Sequence, residues 1–288
     1  MEKINNRIVF GTAFALFVVL ASLGLLEAKD PKLSPGELVS RHLKSIGASE
    51  KLSARKTCTL EGDGAWRIVD GSGPGSLSGP STLVSEGDKI QFIINFNHLN
   101  YPAEQFVYDG EKFDVGYIRD GLRSRLGQFL YTYDFIVKEG LMGGVLSTRW
   151  ALAELEKRNP RLYYDGVKKI AGKDAHELRY VPRKGKDLNV YLYFDAETYR
   201  HVATLYRLVI PAQIVAGSPT LSISQKEKRY ELEERFDNFK EVEGLMLPTH
   251  WNIRYTVDAE ASSVAEWDMN YSKFSVNQPV QPKAFTIQ

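Results

Sequence analysis

The C-terminal third of the chain contains a stretch in which apolar and polar residues alternate with a period of two. The apolar positions are Trp251, Ile253, Tyr255 and Val257, and polar residues from His250 to Thr256 stand between them. Successive side chains on a β-strand point to opposite faces, so this strand must have one face covered and the other in water. The segment that begins at Tyr230 alternates in the same way, and Glu243 and Gly244 form a turn between the two. This hairpin predicts a large antiparallel sheet with one buried face.

Strand-like segments of the same kind occur along most of the chain and predict about ten strands. Three segments have helical spacing instead: residues 35–54, which follow a capping box formed by Ser34 and Glu37, residues 120–139, and residues 147–158. The Pro- and Gly-interrupted residues 211–222 favour a mobile flap. Because strand twist accumulates, so many strands must curl. The predicted fold class is α+β and β-dominated, with a curved antiparallel sheet that forms an incomplete barrel and helices that cover its concave face.

Residues 1–28 have the composition of an export signal, with Lys3 and Arg7 ahead of an apolar run that ends near Ala28. The length of this run leaves two interpretations open, a cleaved signal peptide and an uncleaved N-terminal membrane anchor. Either one predicts an exported, periplasmic protein whose residues 29–288 form a single domain with a helical insertion at about 120–160.

Charge and cysteine content limit the possible partners and cross-links of this chain. The chain has 37 basic and 36 acidic residues and a formal net charge of +1, which gives no indication of a nucleic-acid partner. Cys58 is the single cysteine, so an internal disulfide is excluded. It is interpreted as a small buried hydrophobe rather than as a catalytic thiol.

No motif with catalytic or metal-binding spacing was found. The five histidines are His42, His98, His176, His201 and His250, and no two of them have metal-ligand spacing. His42 is interpreted as a core residue and His250 as a solvated residue on a sheet face. The glycine-rich residues 71–79 lack the Lys-Ser/Thr ending of a phosphate loop. Of the cluster Glu231, Glu233 and Glu234, two residues alternate onto the wet face. We therefore predict no enzymatic activity, metal or cofactor.

The covered face of the sheet is the candidate binding site. Three helices are few for so broad a face, so the unfilled part predicts an apolar cavity suited to acyl chains. The predicted cavity residues are Phe92, Ile94, Phe96, Leu126, Phe129, Leu130, Tyr133, Trp251, Ile253 and Tyr255. The alternative is that helices and loops fill this space completely.

Four short phrases carry a resemblance to a known family. They lie at residues 38–52 (LVSRHLKSIGASEKL), 107–113 (VYDGEKF), 188–200 (LNVYLYFDAETYR) and 236–248 (FDNFKEVEGLMLP). In this respect the chain resembles LolA-like periplasmic lipoprotein carriers and the outer-membrane lipoprotein-sorting proteins. The resemblance implies an incomplete barrel with a helical lid and a cavity that receives acyl chains. It also makes Arg67 the nearest candidate for the basic residue that such carriers use to handle cargo; an ordinary surface charge is the alternative.

These observations predict an exported, non-catalytic protein of the cell envelope that holds lipid acyl chains or lipoproteins for transport or sorting. Its expected partners are those lipids or lipoproteins and membrane-associated delivery proteins. Three alternatives remain: an envelope-stress sensor on the same fold, a structural envelope protein with a filled core, and an enzyme whose polar residues converge on the cavity.

Overall fold

A computed structural model describes residues 33–69, 75–184, 187–215, 223–225, 227–259 and 262–287. Within the chain, Leu33–Gln288 forms one compact unit. The predicted export signal at residues 1–28 lies outside the described residues, as does most of the predicted flap at 211–222.

Strands dominate the described part of the chain. They are β1 (Thr57–Ile68), β2 (Ser76–Glu86), β3 (Lys89–His98), β4 (Tyr101–Tyr108), β5 (Phe113–Val115), β6 (Arg161–Ile170), β7 (Lys173–Val181), β8 (Asn189–Asp195), β9 (His201–Ile210), β10 (Gln213–Val215), β11 (Ile223–Gln225), β12 (Lys228–Val242), β13 (Leu245–Asp258) and β14 (Ser263–Val276).

Twelve of these strands form one antiparallel sheet in the order β5-β4-β3-β2-β1-β14-β13-β12-β9-β8-β7-β6. The last strand of the chain pairs with the first, so β14 joins two meanders into one surface. The edge strands β5 and β6 do not pair with each other, and the sheet is therefore open. This confirms the predicted fold class, a β-dominated antiparallel half-barrel.

The helices are short and lie between or before the strands. They are α1 (Pro35–Ile46), α2 (Ser49–Ala54), α3 (Arg125–Thr132), α4 (Phe135–Lys138) and α5 (Leu155–Arg158), with 3-10 turns at Gly144–Leu146, Ala151–Glu154 and Pro282–Phe285. The Ser34 hydroxyl accepts the Glu37 amide at the start of α1, as the capping box predicts. Among the described residues, no helix has the length and apolarity needed to cross a membrane.

The inner face of the sheet and the buried sides of the helices form one apolar core. In the hairpin β12–β13, Phe236 lies opposite Trp251 and Leu232 lies opposite Tyr255. Trp251 and Ile253 are 0% exposed, whereas Asn252 between them faces outwards and is half-buried. The alternation in the sequence therefore predicts the covered face of this hairpin correctly.

Two predictions about the helical insertion were wrong. The single helix predicted for 120–139 is divided into α3 and α4 at Tyr133, which leaves the helical conformation. The helix predicted for 147–158 is mostly absent, because Ser147 is extended and only one 3-10 turn, Ala151–Glu154, and the short α5 follow. Tertiary contacts explain the second difference. The Arg149 guanidinium donates to the carbonyls of Val137 and Lys138, and these bonds hold residue 149 outside a helix.

The segment predicted as a flap also contains regular structure. Strands β10 and β11 pair antiparallel in a separate two-stranded sheet, with Gln213 opposite Gln225. Residues 216–222 between these strands lie outside the described residues. The strand signal is weak there because each arm is only three residues long and proline and glycine stand between them.

Candidate functional site

The ten predicted cavity residues come together, but most of them lie in filled core. All except Tyr133 are buried, with exposures between 0% and 7%, and Tyr133 is partly buried against the same cluster. The Phe92 ring lies 5.6 Å from the Phe106 ring and 5.0 Å from the Trp251 ring. The centre of the inner face is thus occupied by side chains, and ligand contact by the residues there stays a prediction.

Open apolar space lies at one end of the half-barrel, beside α3. A first cleft has a volume of about 500 Å³. Its walls come from the last residues of β1 and β3, the first residues of β2, β4 and β14, and the loop that precedes α3. Its apolar walls are Trp66, Leu77, Tyr101, Ile118, Leu122 and Trp267. The Trp66 and Tyr101 rings are in edge contact at 5.2 Å, and together they form an aromatic floor.

A second cleft of about 650 Å³ lies along α3 and the ends of β9 and β13. Its apolar walls are Phe129, Tyr133, Leu208, Ile210, Tyr230, Tyr255 and Val257. Three of the predicted cavity residues, Phe129, Tyr133 and Tyr255, are therefore at a surface that a ligand can reach. Both clefts have volumes within the range of about 300–1,000 Å³ that is usual for small-molecule sites.

A larger groove of about 1240 Å³ lies between α1, α2 and residues 148–154. Charged side chains stand in its walls, namely Lys44, Glu50, Arg55, Lys56 and Glu154. Charges of both signs lose hydration when an apolar chain covers them, so this groove suits an acyl chain less well than the clefts beside α3 do.

A buried polar network holds the start of α3, where the two clefts share lining residues. The Ser124 hydroxyl accepts the Gly127 amide at 2.8 Å, which caps α3, and donates to Glu104 Oε1 at 2.7 Å. Glu104 also accepts from the Tyr101 hydroxyl, whose oxygen accepts the Trp267 indole N–H at 3.0 Å. Burial raises the pKa of Glu104 to about 7, although the hydrogen bonds from Tyr101 and Ser124 act in the opposite direction. One carboxyl group thus links the start of α3 to the sheet.

A second buried carboxyl group, that of Glu234, lies on the inner face. Glu234 accepts the Gly143 amide at 2.8 Å, the Tyr206 hydroxyl at 2.7 Å and the Trp251 indole N–H at 2.9 Å. Burial raises its pKa to about 7. The site prediction did not include Glu104 or Glu234. The sequence contains a signal for Glu234, because this residue is two positions from both Leu232 and Phe236 and therefore points to the same covered face of the strand.

Arg67 lies on the outer face of the sheet and lines neither cleft, although its neighbours Trp66 and Ile68 line the first one. It is opposite Glu266 on β14, its Nε donates to Glu266 Oε2 at 2.7 Å, and its side chain is 64% exposed. Arg254 pairs with the same carboxylate. The role in cargo handling that the resemblance implies stays a prediction, and this position is that of a surface ion pair. The arginines that line the clefts are Arg123 and Arg125.

The histidine interpretations agree with the structure. His42 is fully buried; its Nδ1 is 3.0 Å from the Tyr199 carbonyl, and its Nε2 accepts the Trp150 indole N–H at 2.8 Å. Burial lowers the pKa of His42 to about 4. His250 lies on the outer face between Asp237 and Asp268. The described residues include no group of three or more His, Cys, Asp or Glu side chains placed to hold a metal ion.

Cys58 is 1% exposed, as predicted for a small buried hydrophobe. Burial raises the pKa of its thiol, with the nearby Arg55 guanidinium acting in the opposite direction. A thiol whose ionisation is disfavoured is a poor nucleophile.

Comparisons with solved structures find several proteins that are similar to most of this chain at low sequence identity. A LolA-superfamily protein from Nitrosomonas europaea is 12% identical, with a TM-score of 0.44, and the match covers 88% of this chain and 98% of that one. A domain from Vibrio parahaemolyticus assigned to outer-membrane lipoprotein sorting is 11% identical, with a TM-score of 0.41 and coverage of 86% and 97%. A DUF1329-family protein from Desulfovibrio piger is 9% identical, with a TM-score of 0.39 and coverage of 88% and 97%.

The chain is similar to these proteins in fold. No family model matches the sequence. No curated protein matches it either.

Proposed function

We propose that this protein binds the apolar chains of a lipid or lipoprotein in the clefts beside α3, without catalysis, and so carries or sorts them in the cell envelope. The observation that carries the proposal is the pair of aromatic and aliphatic clefts that open at one end of a half-barrel. The predicted export signal and the resemblance to lipoprotein carriers support the envelope location.

The driving force is the transfer of acyl methylenes from water into these clefts. Each buried methylene contributes about 0.8 kcal/mol, so a chain of ordinary length gains enough to be held without any covalent step. Aromatic rings such as Trp66 and Trp267 form much of the first cleft, so a bound chain removes water from few polar groups. Release then requires only that the walls separate.

Helix α3 is the element whose movement would release a chain, because its first residue, Arg125, lines both clefts and its later turns line the second. Its first turn is tied to the sheet through Ser124 and Glu104, whereas Gln128 and Thr132 at the second cleft belong to its exposed side. Lid movements of this kind control exchange in many ligand-binding proteins. A larger opening would also expose Phe92 and the other predicted cavity residues in the core.

A structural envelope protein with a filled core is the second candidate. The observation that favours it is the complete burial of side chains such as Ile94, Leu130 and Ile253 at the centre of the inner face. The two candidates differ in the clefts, which only a ligand-binding protein needs to keep open.

Adjacent residues on β9 provide the test. Ile210 lines the second cleft and is 39% exposed, whereas its neighbour Val209 does not line it and is 37% exposed. Ile210→Asp places a charge against the bound chain and should weaken the binding of a fluorescent fatty acid at least tenfold. Val209→Asp should leave it within twofold. Leu122→Asp is the corresponding change in the first cleft.

Binding is measured by fluorescence titration of the chain from residue 29 onwards, with thermal unfolding to verify that each variant is folded. Solvent extraction of protein purified from a membrane-containing host, followed by mass spectrometry, supplies the natural ligand. An empty extract together with no saturable binding of the probe by the wild type would reject the proposal and favour the structural candidate.

A further inference from the structure

The two clefts meet at a short basic ridge. Arg123, Ser124 and Arg125 line both of them, so the ridge forms the boundary that the first and second clefts share. Among the described residues, no aspartate or glutamate lines either cleft. The ridge therefore places positive charge where two apolar surfaces converge, without an acidic side chain in the walls to balance it.

Arg123 is held rigidly in this ridge. Its guanidinium carbon lies 4.4 Å from the centre of the Tyr117 ring and 3.9 Å from that of the Tyr131 ring. Its Nε donates to the Val115 carbonyl at 3.3 Å, and a terminal nitrogen is 3.9 Å from Asp114. These contacts fix the position of Arg123 and partly balance its charge, so it shapes the ridge more than it attracts an anion.

Arg125 differs from Arg123 in exposure and in partners. Its side chain is exposed, and one terminal nitrogen donates to the hydroxyl of Ser263 at the beginning of β14. Within the described residues Arg125 forms no ion pair. Its charge also reaches the second cleft, where it opposes the rise to about 12 that burial causes in the pKa of Tyr255. Among the described residues only Ser263 accepts from this guanidinium, which leaves its other donors for an acceptor on a ligand.

Two apolar clefts that meet at the Arg125 guanidinium match a molecule in which two apolar chains are joined to one anionic group. We infer that the ligand is an amphiphile with two apolar chains and an anionic head group, and that Arg125 binds the head group while one chain lies in each cleft. The inference rests on the proposed function, because it assigns the ligand class of the same clefts. Phosphate and carboxylate head groups share the required chemistry, since guanidinium can bind either of them with two hydrogen bonds.

The test compares dioctanoyl phosphatidylglycerol with dioctanoyl phosphatidylcholine, which have the same chains but differ in net charge. The wild type should bind the anionic lipid about fivefold more tightly than the zwitterionic one, because both lipids carry a phosphate but the choline ammonium cancels the net charge that attracts a basic residue. Arg125→Gln should abolish this preference by weakening the anionic lipid more than the zwitterionic one, and Arg125→Lys should retain most of it. Arg119→Gln is the matched control, because Arg119 is also exposed but bonds to Asn100 and lines neither cleft.

Two further ligands distinguish the source of the anion and the number of chains. Decanoate tests a carboxylate on one chain, and octanoyl lysophosphatidylglycerol tests a phosphate on one chain; both should bind more weakly than the two-chain anionic lipid. In Ile210→Asp the two-chain lipid should lose its advantage over the lysolipid, because one cleft is then blocked. Displacement of a fluorescent fatty acid measures all of these affinities.

Equal binding of both two-chain lipids, unchanged by Arg125→Gln, would overturn the inference and leave the proposed function standing. Equal affinity for the lysolipid and the two-chain lipid would overturn the two-chain assignment. If neither lipid displaces the probe and the probe itself does not bind, the proposed function fails as well.

Discussion

Replacing Glu234 with glutamine should remove much of the pH dependence of stability between pH 5 and pH 8. The pKa of this carboxyl group is raised by burial from 4.5 to about 7. A raised pKa means that the folded state favours the protonated form. The stability linked to that proton is therefore fully present below pH 4.5 and is lost as the pH rises through 7. A pKa difference of this size corresponds to on the order of 3 kcal/mol.

Glutamine can preserve the hydrogen bonds of the protonated acid. Its carbonyl oxygen accepts from Gly143 and Trp251, and its amide donates to the Tyr206 oxygen in place of the bond that Tyr206 now donates to Glu234. Wild type and Glu234→Gln should thus have similar free energies of unfolding at pH 5, and the variant should be the more stable protein at pH 8. Urea unfolding at four or five pH values measures this directly.

Glu233 is the matched control, because it is the adjacent residue of β12 on the outer face and pairs there with Arg235. Glu233→Gln should keep the wild-type dependence on pH. Glu104→Gln should act as Glu234→Gln does, since burial raises the pKa of Glu104 to about 7 as well. If the free energy of unfolding of both Glu104→Gln and Glu234→Gln depended on pH as that of the wild type does, these two carboxyl groups would be charged in the folded protein.

Trp251→Ala is the second large effect, with an expected loss of about 3–5 kcal/mol in the free energy of unfolding. Trp251 is 0% exposed, lies 5.0 Å from the Phe92 ring, and donates its indole N–H to Glu234. The change removes a large apolar side chain and one of three hydrogen bonds to a buried carboxyl group. Both losses act on the same place in the core.

Neighbouring and conservative variants separate these contributions. Trp251→Phe keeps an aromatic ring and removes the N–H, so it should lose about 1–3 kcal/mol. Asn252→Ala, one residue further along β13, removes only an outer-face contact with Asp268 and should lose less than about 1 kcal/mol. Equal losses at 251 and 252 in urea unfolding would contradict the assignment of inner and outer faces.

Sequence periodicity predicted which strand residues face the core, but not which of them line an open cleft. Parity placed Phe92, Trp251 and Tyr255 on the covered face correctly, because side-chain direction on a strand depends on the local backbone alone. It does not reveal how deep each residue lies beneath the helices. Tyr255 lines a cleft and Trp251 is sealed in the core, although the two residues have the same parity on one strand.

The helical insertion shows a different limit. Apolar spacing predicted a continuous helix through 139, yet α3 and α4 are separate, and Trp150 leaves the predicted second helix to donate to His42 on α1. Such bonds join residues about a hundred positions apart, and no local pattern encodes them. Weak helix propensity is readily overridden when a buried donor finds its acceptor elsewhere in the fold.

Local pattern therefore establishes that this protein has an antiparallel sheet with one covered face, which residues of its long hairpin point inwards, and where α1 begins. These properties follow from strand geometry and helix capping, which act over a few residues. Tertiary structure decides that the centre of the inner face is filled, that Glu104 and Glu234 are buried with raised pKa values, and that Arg125 stands between two open clefts. Burial and charge at these positions depend on elements brought together from distant parts of the chain, because cavity shape and desolvation depend on every neighbouring side chain.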